Sequence, residues 1–393
     1  MTGRRSTYDA VIVGAGPSGS VLARLLALQG ANVLMLDAAA FPRRKPCGES
    51  LNPGAVNRLS QLYGDGKLAS FRGLLNAASI PFEMLSGWRL NSGGVTLEAE
   101  YPAGLAGIGI RRESLDYWLV QQACDAGVQF EDRCRAERLL WENDRVIGTA
   151  ARLHNGEQLL ISARYVAGAD GIRSAMARSA KLSGFGKLRK AAMTARIKGV
   201  QGLNGKVELF VTGDTVIGLA PIGSGQANMT IALRSNQLLE SAKIGKNGFL
   251  MAQAQRIAEL RERFSGAEIE GEVLTCGPFE RIVQSNRYDG LLLTGDAAGY
   301  FDPMTGQGLY RAVRSAELAA DALIEAMRTG SFAPLHRYER QRNYEFAAPL
   351  RMQKLIEGTS RHEWLLRTSM RAIGASRMLT TRLAESIGDC VRL

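Results

Sequence analysis

Apolar and polar residues recur along this chain with two different periods, and the points where the period changes mark its elements. Ala10 to Val13 are four apolar residues in succession, which predicts a short strand buried on both faces, as in a parallel sheet. A glycine-rich turn follows, then residues 18–29 in helical spacing, closed by Gly30. Residues 32–36 form a second apolar strand ending at Asp37. Residues 53–62 read as a helix. Residues 76–110 alternate apolar and polar with glycine breaks, which predicts antiparallel strands of a second sheet. Residues 112–126 resume helical periodicity, with Leu115, Leu119 and Ala123 on one face. Short strands around an Asn155–Gly156 turn are expected over 128–167, with 165–168 as another buried strand. Further strands are expected at 206–211, 226–233 and 291–293. Helices are expected at 247–264, from about Leu309, over 335–357 and over 362–387.

This order assigns an α/β fold. A discontinuous nucleotide-binding domain takes 1–75, 100–182 and 277–330. A second domain, built on an antiparallel β-sheet, takes 76–99 and 183–276, and a helical extension takes 331–393. A chain of 393 residues has ample core for more than one such unit.

Composition narrows the class. Hydrophobic content of 46% and charged content of 22% are those of a globular protein. No apolar run is long enough to span a bilayer, and the apolar stretch behind the N-terminal basic pair is the first strand, so the cytoplasm is the expected compartment. Cys47, Cys124, Cys134, Cys276 and Cys390 show no C-x-x-C spacing, and His154, His336 and His362 are scattered. A metal site, a disulfide framework and a histidine triad therefore lack material. The net charge of +11 is compatible with nucleic acid, an anionic membrane or an acidic protein, but no nucleic-acid-binding module is visible. The basic helices after Phe332 suggest packing on the core, with an acidic carrier protein, a peptide or a membrane surface as possible partners.

Three motifs carry chemistry. Gly14, Gly16 and Gly19 give G-x-G-x-x-G between strand and helix, with Pro17 and Ser18 at the helix start. The first glycine permits the turn, the second lets backbone approach a pyrophosphate, and the third lets helix pack on strand. The helix dipole favours the phosphate, and Asp37 at the end of the second strand accepts ribose hydroxyls. This is a dinucleotide site. Gly168 to Ser174, GADGIRS, follows a buried strand and places Asp170 between glycines. Thr294 to Leu323 brings Gly295 and Asp296 off a strand, then a loop with Pro303, Gly306 and Gly308, then a helix. Asp296 there suits a sugar-alcohol hydroxyl, and the amides of 306–309 suit negative charge on a bound ring.

With PCGES (Pro46 to Ser50) and the R-x-x-L-D of Arg112, Leu115 and Asp116, these motifs resemble a group of flavoproteins. It contains para-hydroxybenzoate hydroxylase-type monooxygenases, geranylgeranyl reductases and flavin-dependent halogenases, and the resemblance covers roughly Tyr8 to Leu323. It implies a Rossmann-type, glutathione reductase-like FAD-binding domain, FAD as cofactor and NAD(P)H as a transient electron donor. Gly14, Gly16, Pro17, Ser18, Gly19 and Asp37 would hold the ADP half, with Arg43 and Arg112 near pyrophosphate or ribose. Asp170 would lie near the pyrophosphate and Gly295 and Asp296 at the ribityl chain. Pro303, Gly306 and Gly308 would lie against the isoalloxazine, and Cys47 and Gly48 would approach the ring. Cys47 is a candidate proton relay or a plain buried thiol. Glu49 is a candidate acid/base, with a surface role as its plainer reading.

Three departures sort the branches. Gly299 stands where the hydroxylases carry histidine after GDAA, which resembles the reductases. The aromatic signature of reductases and halogenases is replaced by VIGLAP, Val216 to Pro221. No lysine occurs between Lys67 and Lys181, which disfavours a halogenase. The expectation is an FAD-dependent monooxygenase acting through a flavin C(4a)-hydroperoxide on an electron-rich substrate. An alkene reductase of the geranylgeranyl type is the alternative, and a protein-modifying flavoprotein stands further back.

Overall fold

The computed structural model describes residues 7–65, 70–187, 190–213 and 215–390. Two large sheets organise it. The first has eight strands and a parallel centre, in which Thr7–Val13 lies between Gln158–Gly168 and Val33–Leu36. Leu291–Leu293 continues it on one side and Gln129–Glu131 on the other, both in parallel. Ala10 to Val13 are buried on both faces, as their unbroken apolarity requires. Helices Pro17–Ala27, Arg112–Asp125 and Gly308–Thr329 cover one face of this sheet and bury its main apolar cluster.

The second sheet has seven strands and packs its two faces differently. On one face Met193, Ala195, Ile197, Ile217, Leu219, Met229 and Ile231 meet helices Lys246–Arg256 and Ala258–Arg261. On the other, Trp88, Leu97, Ala99 and Val211 meet helices Glu363–Gly374 and Arg377–Ile387. Five of its pairings are antiparallel, as expected, but Gly87–Ser92 runs parallel to Lys206–Thr212. The cause is topological: the hairpin of Gly87–Ser92 and Val95–Glu100 comes from a distant part of the chain and joins the edge of a finished meander.

Several expected elements shift. A helix at Phe71–Ala77, capped by Ser70, precedes the strands expected from residue 76. The strand expected at 165–168 is the buried end of Gln158–Gly168. The helix expected over 247–264 breaks at Ile257, whose extended backbone turns the side chain into the core, and a further helix, Ser235–Ile244, precedes it. The helix expected over 362–387 is two helices. Ser376 starts the second, its hydroxyl accepting from the Leu379 amide. Lys67, which bounds the lysine-free stretch, lies outside the described residues.

Candidate active site

The glycine turn is fixed by packing on its neighbours. Gly14, at φ +104, ends the first strand, and its amide donates to the Leu36 carbonyl at 2.7 Å. A Cβ at Gly14 would collide with the Ala169 carbonyl, and one at Gly19 with the Gly14 carbonyl, so helix and strand approach to backbone contact. Gly16 is different. The nearest atom to a Cβ there would be Arg43 Nη2, at 3.6 Å. The helix behind it starts at Pro17 with no side-chain cap, which leaves its first amides to an external acceptor.

Asp37 stands at the end of the second strand. Its Oδ2 accepts from the Ala15 amide at 2.9 Å and its Oδ1 from the Ala39 amide at 2.9 Å. Arg43 Nη2 lies 3.5 Å from Oδ2, while Arg43 Nη1 donates to Asp116 at 3.3 Å. Asp116 in turn takes two bonds of 2.8 Å from Arg112, which also meets the Cys47 thiol. Burial works against the charge on Arg112, and the Asp116 carboxylate outweighs it, so the guanidinium is held more firmly protonated than usual. Alternating charges thus run from Asp37 through Arg43 and Asp116 to Arg112, which ends against Cys47.

The PCGES loop is locked from the second sheet. Thr194 Oγ1 donates to the Cys47 carbonyl at 3.1 Å. Glu49 is only 2% exposed, which rules out its surface reading, and sits at φ +54 in the left-handed region. Its Oε1 accepts from Arg196 Nη2 at 2.6 Å and from the Arg112 amide at 2.9 Å. Its Oε2 accepts from Arg196 Nε at 3.0 Å and from Asn228 at 3.1 Å. Four donors converge on one carboxylate, and they hold a backbone conformation that a glutamate otherwise avoids. Gly48 leaves open space where a Cβ would be.

Asp170 lies at the end of the GADG turn. Its Oδ2 accepts from the amides of Ala175 at 2.6 Å and Met176 at 3.3 Å, while Oδ1 is buried without a partner. Burial raises its pKa. Gly295 is bound through a serine–threonine chain: Ser18 Oγ meets Thr294 Oγ1 at 2.9 Å, Thr294 donates to Ser315 at 3.0 Å, and the Gly295 amide donates to Ser315 at 2.9 Å. The start of the first helix, the Gly295–Ala298 turn and the helix Gly308–Thr329 are therefore tied together. The Asp296 carboxylate accepts no hydrogen bond among the described residues.

The loop after it is closed by the C-terminal helices. The Gly306 amide donates to the Pro303 carbonyl at 3.0 Å, and a Cβ at Gly306 or Gly308 would meet nothing within 4 Å. Gln353 donates to Thr305 at 2.6 Å, and Thr305 to Gln307 Oε1 at 3.1 Å. Gln307 Nε2 donates to the Ser386 carbonyl and to Asp389 Oδ1, each at 3.0 Å. Asp389 Oδ2 accepts from Asn52 at 2.7 Å, and Asn52 Oδ1 caps the helix Pro53–Tyr63. Residues 386–389 therefore tie the glycine loop to the segment that follows PCGES.

Contacts link Asp37, Arg43, Asp116, Arg112 and Cys47, tie Cys47 and Glu49 to the second sheet, join Gly295 to Ser18, and tie the Gly306–Gly308 loop to the segment after PCGES. Sequence reasoning missed Thr194, Arg196, Asn228, Gln307 and Asp389, whose roles depend on contacts across long separations. It also passed over Lys45, whose Nζ lies 3.6 Å from a Cβ position at Gly171 in the GADG turn. Lys45 and Cys276 lie close enough to interact, and burial pushes the Cys276 thiol up to about 11. The lysine argument against halogenation was therefore incomplete. VIGLAP is a strand, Thr215–Pro221, and Val216 faces the apolar cluster that holds Met304 of the glycine loop. No cluster of metal-ligating side chains is present among the described residues.

The residues fit an FAD. The uncapped helix start and the open positions at Gly16, Gly306 and Gly308 leave room, and Asp170 Oδ1 and Asp296 lack protein donors.

A family model described as FAD binding domain matches residues 7–351. Among curated relatives, digeranylgeranylglycerophospholipid reductase 1 of Methanopyrus kandleri is 29% identical over 355 residues, 86% of this chain and 87% of its own length. The flavin-dependent brominase Bmp2 superposes with a TM-score of 0.82 at 21% identity, covering 98% of this chain and 94% of its own. A geranylgeranyl bacteriochlorophyll reductase-like protein of Thermoplasma acidophilum gives a TM-score of 0.72 at 23% identity, covering 98% and 92%. These are members of the group that the motifs resemble. The likeness also corrects its expected extent, because at 98% coverage it includes the C-terminal helices rather than ending near Leu323.

Proposed function

Because the chain belongs to the FAD binding domain family and is an FAD-dependent oxidoreductase, we propose that it is a reductase that saturates the carbon–carbon double bonds of an isoprenoid chain. The observation that carries this reading is the near full-length match to a relative named as a digeranylgeranyl lipid reductase. It favours alkene reduction over the hydroxylation expected from the sequence. Two features support the reading: Val216 and Met304 of the glycine loop share an apolar cluster, and the PCGES loop carries a thiol, that of Cys47.

Gly14, Gly16, Ser18 and Gly19 bind the ADP half at the uncapped helix start, with Pro17 setting its first turn and Asp37 and Arg43 at the ribose side. Asp170 stands at the pyrophosphate, Gly295 and Asp296 at the ribityl chain, and Pro303, Gly306 and Gly308 along the ring. When bound, FAD supplies hydride to one alkene carbon, and a nicotinamide dinucleotide is the proposed source of its electrons. Cys47 gives the proton from Sγ to the other carbon. Arg112, next to that thiol, stabilises the thiolate left behind. Thr194 fixes the Cys47 carbonyl, and Glu49, fully engaged as an acceptor, positions the loop rather than exchanging protons.

The test is anaerobic. Reduced enzyme mixed with a geranylgeranyl-chain phospholipid in detergent should reoxidise its flavin and yield a product two hydrogens heavier per bond. Cys47→Ala should keep its yellow colour and lose about 10²–10⁴-fold in that rate, the usual worth of a placed proton donor. A product one oxygen atom heavier, formed only in air, would restore the hydroxylase.

A further inference from the structure

The three C-terminal helices clamp the glycine loop from within, yet their outer faces serve nothing in the fold. Those faces carry large apolar side chains in the open: Trp364 is 70% exposed, Leu355 62%, Met378 59% and Leu379 42%. Basic residues stand among them at helical spacing. Arg351, Lys354 and Leu355 share one side of the helix Ala333–Ser360. Trp364 and Arg371 share one side of Glu363–Gly374, and Met378, Leu379 and Arg382 one side of Arg377–Ile387. The inner residues of the two short helices, Leu366, Met370 and Ala384, pack on Trp88, Leu97 and Ala99 of the second sheet. Both helices lie on one side of that sheet, and their outer residues form one surface.

The charge on this surface has one sign. Between Arg351 and Arg382 the chain carries seven Lys or Arg and two Glu. Both glutamates are spent internally, Glu357 on Lys190 and Arg361, and Glu363 on Arg367. Arg351, Arg371, Arg377 and Arg382 are exposed and form no ion pair among the described residues. A purely polar acidic surface would be met by charge alone and would leave Trp364, Leu355 and Met378 in water. A tryptophan and long aliphatic chains ringed by arginines match the interface of a bilayer, where the ring sits at headgroup depth and the cations meet lipid phosphates. No helix among the described residues is long and apolar enough to cross a membrane, so contact would be peripheral.

We propose that the outer face of the C-terminal helices, centred on Trp364 and Arg371, docks the protein on an anionic lipid bilayer. The docked face stands over the apolar cluster that contains Met304, so an apolar chain leaving the bilayer has a short way to the glycine loop. The inference goes beyond the reductase reading, and its test measures attachment, not turnover.

Purified full-length holoprotein is sedimented with vesicles of pure phosphatidylcholine or of phosphatidylcholine with phosphatidylglycerol. Attachment is expected to the anionic vesicles alone and to fall about tenfold or more as the screening length drops from ~10 Å toward ~3 Å. Brominated lipid should quench Trp364, since Trp88 and Trp118 are buried and the half-exposed Trp141 is edge-packed on Tyr288 in the other sheet. Trp364→Ala and the pair Arg371→Glu, Arg382→Glu should each weaken attachment about fivefold or more while FAD content and melting temperature hold. Absence of attachment, or attachment unchanged in both variants, overturns the proposal. Equal binding to soluble polyglutamate that ignores Trp364→Ala overturns it in favour of an acidic protein partner.

Discussion

Between Val13 and Asp37 a single continuous stretch builds most of the nucleotide end: strand, glycine turn, helix start and acid are neighbours in sequence as well as in space. The opposite wall is assembled from pieces. Cys47 and Glu49 are held by Thr194, Arg196 and Asn228, and the loop before Gly308 is held by Gln353 and Asp389. The first wall is rigid because backbone packs on backbone at Gly14 and Gly19. The second is rigid because buried polar side chains such as Glu49 and Gln307 are held by several partners at once. The difference teaches where each wall is vulnerable: one to added volume, the other to the loss of a single charge.

Gly19→Val should do the most damage. Its Cβ meets the Gly14 carbonyl with no side chain to swing away, and a destabilisation beyond about 4–5 kcal/mol should appear as loss of a cooperative melting transition. A stable, yellow Gly19→Val protein would break the comparison, since the nucleotide end would then tolerate volume.

Glu49→Gln comes next. It leaves Arg196, 4% exposed, with Glu113 as its remaining carboxylate at 2.7 Å, and should lower the urea unfolding free energy by about 3–5 kcal/mol, the usual cost of halving a buried pair. Replacing both partners, as in Glu49→Leu with Arg196→Met, should recover part of that loss. A single and a double variant of equal stability would mean that the wall is held by shape and not by charge.

Those two outcomes bear on how much of the molecule could be read from residues alone. The glycine turn, Asp37 and the GADG and GDAAG motifs were legible because each is a short contiguous pattern with a geometric requirement. The burial of Glu49 was not, because it follows the proline- and arginine-dense run of residues 41–46 and its main partner is 147 positions away. The break at Ile257 was hidden because the apolar spacing continues across it. Ser376 was a readable start signal, outweighed by unbroken amphipathic spacing on both sides. Lys45 was legible too, but it precedes the lysine-free stretch and its proximity to the GADG turn is a contact across 126 positions.

The smallest effect sharpens the contrast from within one motif. Gly16→Ala should change stability by no more than about 0.5 kcal/mol, since the added methyl meets only the tip of Arg43. It should nonetheless weaken FAD retention, measured as flavin lost on gel filtration, because the space it fills is the space a pyrophosphate needs. Equal melting temperatures for Gly16→Ala and Gly19→Val would refute this division of labour.

The bond from Gln307 to Asp389 spans 82 residues, and it sets an order of events during synthesis. The serine–threonine chain that joins the first helix to the Gly295 turn is complete once Ser315 has been made. At about 5–20 residues per second, the ribosome needs roughly 4–15 s more to deliver the carboxylate that fastens the glycine loop. On the proposed assignment of the site, a nascent chain would therefore grip the adenine-bearing half of its cofactor before it has the means to seat the ring.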